Sequence, residues 1–130
     1  MILLDTHIWI WWTQNDDRLT PAQRQLLIEQ QPSGLGVAAI SCWEIAKAVQ
    51  LGRLVLPLEV AQWLRLALKY PGVKLLRLTS DIAVESTRLP GEFHKDPADQ
   101  IIVATARIID CPLVTSDARI LTYPHVRRLP

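Results

Sequence analysis

The sequence predicts an α/β chain, a three-layer α/β/α sandwich around a parallel sheet of four to five strands. Short apolar runs of strand length alternate with longer segments whose apolar residues recur at helical spacing. Caps, prolines and glycines punctuate the transitions, and no internal repeat or low-complexity tract interrupts them. The 130 residues, 49% hydrophobic, suffice for one domain, 1–130, that buries a core and still presents a cleft.

Taken in order, MILL reads as a short buried strand ending at Asp5, followed by a helical turn over Ile8–Trp12 whose three tryptophans are assigned to core packing. Thr20-Pro21-Ala22-Gln23 supplies a cap, a first-turn proline and a capping-box glutamine for a helix to about Gln30, closed by Pro32, Ser33 and Gly34. Leu35–Ile40 is a second strand, and Ser41-Cys42-Trp43-Glu44 reads as a serine-capped helix start running towards Leu51-Gly52. From Glu59 to Tyr70 the apolar residues sit at amphipathic spacing, and Pro71-Gly72 ends that helix. Val73–Leu78 is a third strand, after which Thr79 or Ser80 caps a helix to Leu89. The segment HKDPADQIIVATA, from His94 to Ala106, starts a buried helix with Asp96 as cap and Pro97 at the first position. Pro112–Thr115 is a fourth strand that releases Ser116-Asp117, and Val126–Leu129 is the fifth.

Several classes are excluded or disfavoured. A net charge of +1 is unlike a grossly basic nucleic-acid module, although an average conceals local clusters. Cys42 and Cys111 lack metal-ligand spacing and read as reduced core thiols, which favours the cytoplasm. The apolar start carries Asp5, lacks a basic leader and is too short to span a membrane. No GxxxxGK[ST] loop is present to cradle a nucleotide's phosphates.

In parallel sheets, functional residues gather outside the carboxyl ends of the strands. Asp5, Glu44 and Asp117 each follow a predicted strand, and Asp99 lies in the first turn of a helix that can face the same edge. Each has an ordinary reading: a turn for Asp5, a capping box for Glu44, a cap for Asp117, a favourable helix dipole for Asp99. Together these readings weaken. Carboxylates about 8 Å apart repel by about 2 kcal/mol per pair at an effective dielectric near 20. Raised pKa values or a divalent cation must relieve that field. All-oxygen ligands suit Mg²⁺ or Mn²⁺, whereas zinc recruits histidine or cysteine.

The segments LLDTHIWIWW, AISCWEIAKAVQLGRL, HKDPADQIIVATA and LVTSDARI, in this order and spacing, resemble the PIN-domain ribonucleases, and among them the VapC toxins of toxin–antitoxin pairs. The resemblance covers nearly the whole chain. It implies a PIN-like fold and an Mg²⁺- or Mn²⁺-dependent endoribonuclease in which Asp5, Glu44, Asp99 and Asp117 are the catalytic, metal-holding acids. It also implies a homodimer, a cognate VapB-type antitoxin and an RNA substrate. Asp96 departs from the family's acidic positions and is assigned chiefly to capping.

Thr6, Thr115, Ser116 and Asp96 are candidates to support the carboxylates or to cap backbone amides. Lys47, His94 and Arg119 are candidate RNA contacts, as are Lys95 and Arg127, with solvated surface as the ordinary alternative. His7 reads as a packed or hydrogen-bonded histidine. The competing function is a PIN-like module that binds RNA or protein without cutting. An aspartyl-phosphate phosphatase is disfavoured because His7 stands where it needs a second aspartate, and a receiver domain because Leu78-Thr79-Ser80 lacks its acceptor.

Overall fold

A computed structural model describes residues Met1–Pro130. The element order is β1 (Ile2–Leu4), α1 (Thr6–Gln14), α2 (Pro21–Gln30), a 3₁₀ turn (Gln31–Ser33), β2 (Leu35–Ala38), α3 (Ala39–Gln50), α4 (Val60–Leu68), β3 (Val73–Leu76), α5 (Ser80–Ser86), α6 (Pro97–Ile109), β4 (Leu113–Val114), α7 (Ala118–Leu121) and β5 (Arg128–Leu129). The five strands form one sheet in the order β3-β2-β1-β4-β5. Every pairing is parallel, with Leu3 opposite Gly36 on one side and Leu113 on the other.

The strand period of two assigns alternate residues to two cores. Ile2 and Leu4 of β1, Leu35 and Val37 of β2 and Val114 of β4 pack with Trp9, Leu27, Ile45 and Trp63 from α1 to α4. Leu3, Ala38 and Leu113 point the opposite way, onto Ile102, Val103 and Ala106 of α6 and Ile120 of α7. Helices therefore cover both faces, as parallel strands require because both their faces are apolar. β1 leads to β2 in one direction and β4 leads to β5 in the other, so the order reverses between β1 and β4. A crevice opens at such a reversal, outside the carboxyl ends of the two strands.

Local signals account for most boundaries. Thr20 and Gln23 form the reciprocal capping box at α2. Thr79, rather than Ser80, caps α5. Asn15 and Asp110 end α1 and α6 in the left-handed conformation, with φ of 52° and 60°. Gly72, at φ 84°, is needed where it stands, because a Cβ there would lie 2.5 Å from the Gln31 carbonyl oxygen.

Some elements differ from the sequence expectation. Helix α1 begins earlier and ends later than the turn over Ile8–Trp12, because Asp5 caps it directly. Strand β2 stops at Ala38 rather than Ile40, since the chain passes into α3 without a loop. Ser41 is therefore inside the first turn of α3 and is not its cap; Ala38 occupies that position with no side-chain hydrogen bond. Strand β3 stops at Leu76, and α5 stops at Ser86 rather than Leu89, where the hydroxyls of Ser86 and Thr87 bond back to the carbonyls of Ala83 and Val84. Strand β4 is confined to Leu113–Val114, and β5 starts at Arg128 because Val126 turns into the core beside Tyr123. Cys42 and Cys111 are free thiols whose pKa burial raises, as expected for reduced packing residues.

Candidate active site

The crevice between β1 and β4 collects the acids. Asp5 leaves β1 and is buried, with Oδ1 accepting from the Thr6 amide at 2.9 Å and Oδ2 from the Thr115 hydroxyl at 2.7 Å. Thr115 leaves β4 and turns twice, since its Oγ1 also accepts from the Asp117 amide at 3.0 Å. One hydroxyl thus ties the ends of the two central strands together. Asp117 caps α7, and its carboxylate is gripped by Arg119 at 3.0 Å.

Glu44 arrives from α3, held by a donation from the Thr6 hydroxyl to Oε1 at 2.6 Å. The same hydroxyl pairs with Ser41 Oγ at 2.8 Å. The capping-box reading of Glu44 is thereby overturned: its partner is a threonine 38 residues away, and Ser41 is fully buried beneath that contact. Asp96 caps α6, its Oδ1 accepting from the amides of Ala98 (3.0 Å) and Asp99 (3.2 Å). One turn on, Asp99 is buried and faced by His94, whose Nε2 stands 3.0 Å from Oδ2 but outside hydrogen-bond geometry. Arg119 approaches the same oxygen at 3.5 Å.

Glu44, Asp96 and Asp99 each present a carboxylate oxygen within 4.8 Å of the others. Asp5 and Asp117 lie close enough to act on Asp99 electrostatically. All four sequence-selected acids therefore meet at one edge, and Asp96 joins them while still serving as a cap.

The charges show the strain of this gathering. Burial, reinforced by Asp5, Asp96, Glu44 and Asp117, pushes Asp99 up to about 7. Burial also raises Asp5 despite its bonds from Thr115 and Thr6, and raises Glu44 despite the Thr6 hydroxyl. Asp117 goes the other way, lowered chiefly by its hydrogen bonds from Arg119. Partly buried, repelling, all-oxygen donors suit a hard divalent cation, which removes the need to keep protons on acids at neutral pH.

The supporting residues divide. Thr6 and Thr115 contact the carboxylates. Ser116 does not: its hydroxyl accepts from Gln23 Nε2 at 2.8 Å, anchoring the β4 exit to α2. Gln23, buried and already used in the capping box, has a second task that no local signal could announce, because its partner lies 93 residues away. Lys47 is exposed and donates to Gln50 at 2.8 Å rather than to Glu44. His94 and Arg119 stand at the mouth of the cluster, in contact with each other at 3.4 Å. His7 is exposed rather than packed in the core, with its ring 5.9 Å from that of Trp11. Trp11 likewise is only partly buried, unlike Trp9 and Trp12.

An α/β/α chain with acids gathered at a strand-order reversal has them where parallel-sheet proteins bind their ligands, and comparison with known proteins makes the class specific. Residues 2–126 match the PIN domain. The chain is 35% identical over 126 residues to ribonuclease VapC22 of Mycobacterium tuberculosis, covering 97% of this chain and 94% of that one. Its fold is similar to VapBC2 from Rickettsia felis bound to a promoter DNA fragment (TM-score 0.72, 14% identity, 99% and 98% of the two chains). It is also similar to DNA-bound VapBC from Salmonella typhimurium (TM-score 0.72, 17% identity, 99% and 98%). The chain belongs to the PIN-domain family. Within it, the chain is of the VapC type.

Proposed function

We propose that residues 1–130 act as one nuclease domain, a divalent-metal-dependent endoribonuclease serving as the toxin of a VapBC-type pair. The observation that carries the reading is the meeting of Glu44, Asp96 and Asp99 within 4.8 Å, with Asp5 and Asp117 beside them. Similarity to a named ribonuclease supports the substrate class, and similarity to toxin–antitoxin complexes supports a VapB-type antitoxin as partner. A homodimer and a cytoplasmic location complete the proposal; no helix is long and apolar enough to cross a membrane.

Asp5, Glu44, Asp99 and Asp117 would hold Mg²⁺ or Mn²⁺, with Asp96 near enough to contribute its uncapped oxygen. The cation, when bound, lowers the pKa of an attacking water, orients the phosphodiester and stabilises charge on the leaving oxygen. The chain's part is positional. Thr115 and the Thr6 amide fix both oxygens of Asp5, and the Thr6 hydroxyl fixes Glu44. Arg119 and His94, at the mouth beside Asp99 and Asp117, would offer donors to a substrate phosphate. No side chain is required as a nucleophile, because water attacks.

The test is cleavage of structured RNA by the purified protein with Mg²⁺ or Mn²⁺ and with excess chelator. Fragments are expected only with metal, and Asp5→Asn should abolish them while its circular dichroism stays native. Undiminished cleavage in chelator would overturn the mechanism, and RNA retention without fragments would establish a binding module instead. Expression of the chain alone should arrest growth, with relief on co-expression of the antitoxin; harmless expression of an active nuclease would refute the toxin role.

A further inference from the structure

A cavity of about 290 Å³ opens directly beside the acidic cluster and shares Thr6 and Glu44 with it. Its depth is apolar, formed by the buried Ile10 and Ile45 with the half-buried Leu54, while Trp11, Arg18 and Arg53 form the more exposed wall. Small-molecule sites run from about 300 to 1,000 Å³, so this cavity has room for one compact planar group rather than an extended ligand.

The wall is built for stacking. Arg18, tied to Asp16 at 2.7 Å, lies 5.5 Å over the Trp11 ring centroid. On the same helix His7 leans towards Trp11 at 47°, with centroids 5.9 Å apart. Aromatic rings and guanidinium planes are the surfaces on which unstacked RNA bases rest. Arg53 is exposed in the turn that follows α3 and pairs with no carboxylate, leaving its charge for an anion. Trp11 packs against the core with only part of its surface and lines the cavity with the rest, and Arg53 neither packs in the core nor caps a helix.

We propose that this cavity is a nucleobase subsite: with a phosphodiester at the acidic cluster, the base of a neighbouring nucleotide enters and stacks on Trp11, and Arg53 meets an adjacent phosphate. The proposal rests on the ribonuclease reading and sharpens it, because it places one base in a defined pocket. An apolar side chain of a protein partner is the other class of occupant. Continuity through Glu44 with the acids proposed to hold the cation, and a wall with two arginines, favour the nucleotide.

The experiment separates the subsite from the nuclease reading. Nucleoside 5′-monophosphates and ribose 5-phosphate are titrated against the whole protein in chelator, for the wild type, Trp11→Leu and Trp11→Tyr. The base should tighten binding roughly 5- to 150-fold in the wild type, Trp11→Leu should erase that difference and Trp11→Tyr should restore it. Should Trp11→Leu fail to fold, Arg53→Ala at an exposed side chain supplies the readout, with a higher KM for RNA and an unchanged kcat. In the cleavage assay, an abasic residue at one position of a short RNA should lower kcat/KM by a similar factor in the wild type and add no further loss in Trp11→Leu. A wild type that binds both ligands equally overturns the subsite, as does a Trp11→Leu protein that loses antitoxin affinity with RNA kinetics intact. A protein that never cuts RNA sinks the nuclease reading alone, since base-dependent binding lost in Trp11→Leu would still establish the pocket.

Discussion

Helix α6 starts with Asp96, whose Oδ1 accepts from the amides of Ala98 and Asp99, whereas α3 starts at Ala39 with no side-chain cap. Both helices deliver an acid to the same cluster. At α6 the acid's placement is local: cap, proline and Asp99 follow one another within four residues, and the cap fixes the turn that carries the acid. At α3 the strand runs straight into the helix, and its cap position is held by Ala38, buried against the α6-side core and without a side chain that could accept from an amide. Glu44 is aimed instead by Thr6, from another element altogether. Acids of similar chemistry are therefore controlled by different means, and the two should respond differently to mutation.

The largest effect is expected at Asp99. Asp99→Asn should abolish metal-dependent cleavage while leaving stability in chelator unchanged or higher, because it removes a carboxylate repelled by four others. The sign of the pH dependence follows. Asp99's folded pKa, about 7, lies above its ordinary 3.8, so its ionisation opposes folding. Its contribution is fully present below the ordinary value and is lost as the pH rises through about 7. Melts across that window in chelator should fall more steeply with pH for the wild type than for Asp99→Asn, and added Mg²⁺ should flatten the wild-type curve. Equal slopes would show that the acids do not crowd one another.

Next comes Thr6→Val, which strikes the α3 arrangement without touching a carboxylate. Loss of the hydroxyl that orients Glu44 should reduce cleavage or metal affinity by about 10–100-fold. Leaving the buried Ser41 hydroxyl without its partner should cost about 1–3 kcal/mol. Full activity in a destabilised Thr6→Val protein would reduce the contact to packing.

Asp96→Ala should show the smallest effect on chemistry. Loss of the cap should lower stability by about 0.5–2 kcal/mol in chemical denaturation while much of the activity survives. The converse result, an inactive protein of unchanged stability, would make the carboxylate's place beside Glu44 and Asp99 its chief role.

Among the elements, those legible in advance were the ones whose cause is local. Thr20 with Gln23, Asp96 with Pro97, and Asp5 and Asp117 at strand exits announce themselves within a few residues, since caps act over one turn. Ser41 misled for the same reason: Ser-x-x-Glu is a good local signal, and a strand that becomes a helix without a loop removes its meaning. The run of tryptophans looked uniform in the sequence, yet burial separates Trp9 and Trp12 from Trp11, since a helix points neighbouring residues in different directions.

By itself the sequence determined the alternation of strands and helices, hence a parallel sheet covered on both faces, and the acids at strand exits and helix starts, because periodicity and capping are short-range. Only the tertiary structure decided which groups share a cavity and what charge they carry. Thr6 reaching Glu44, Gln23 holding Ser116 and Thr115 tying Asp5 join residues 38, 93 and 110 positions apart. The raised pKa of Asp99 combines burial and its helix neighbour Asp96 with three carboxylates brought from other parts of the chain, Asp5, Glu44 and Asp117, and that combination exists only once the chain has closed around it.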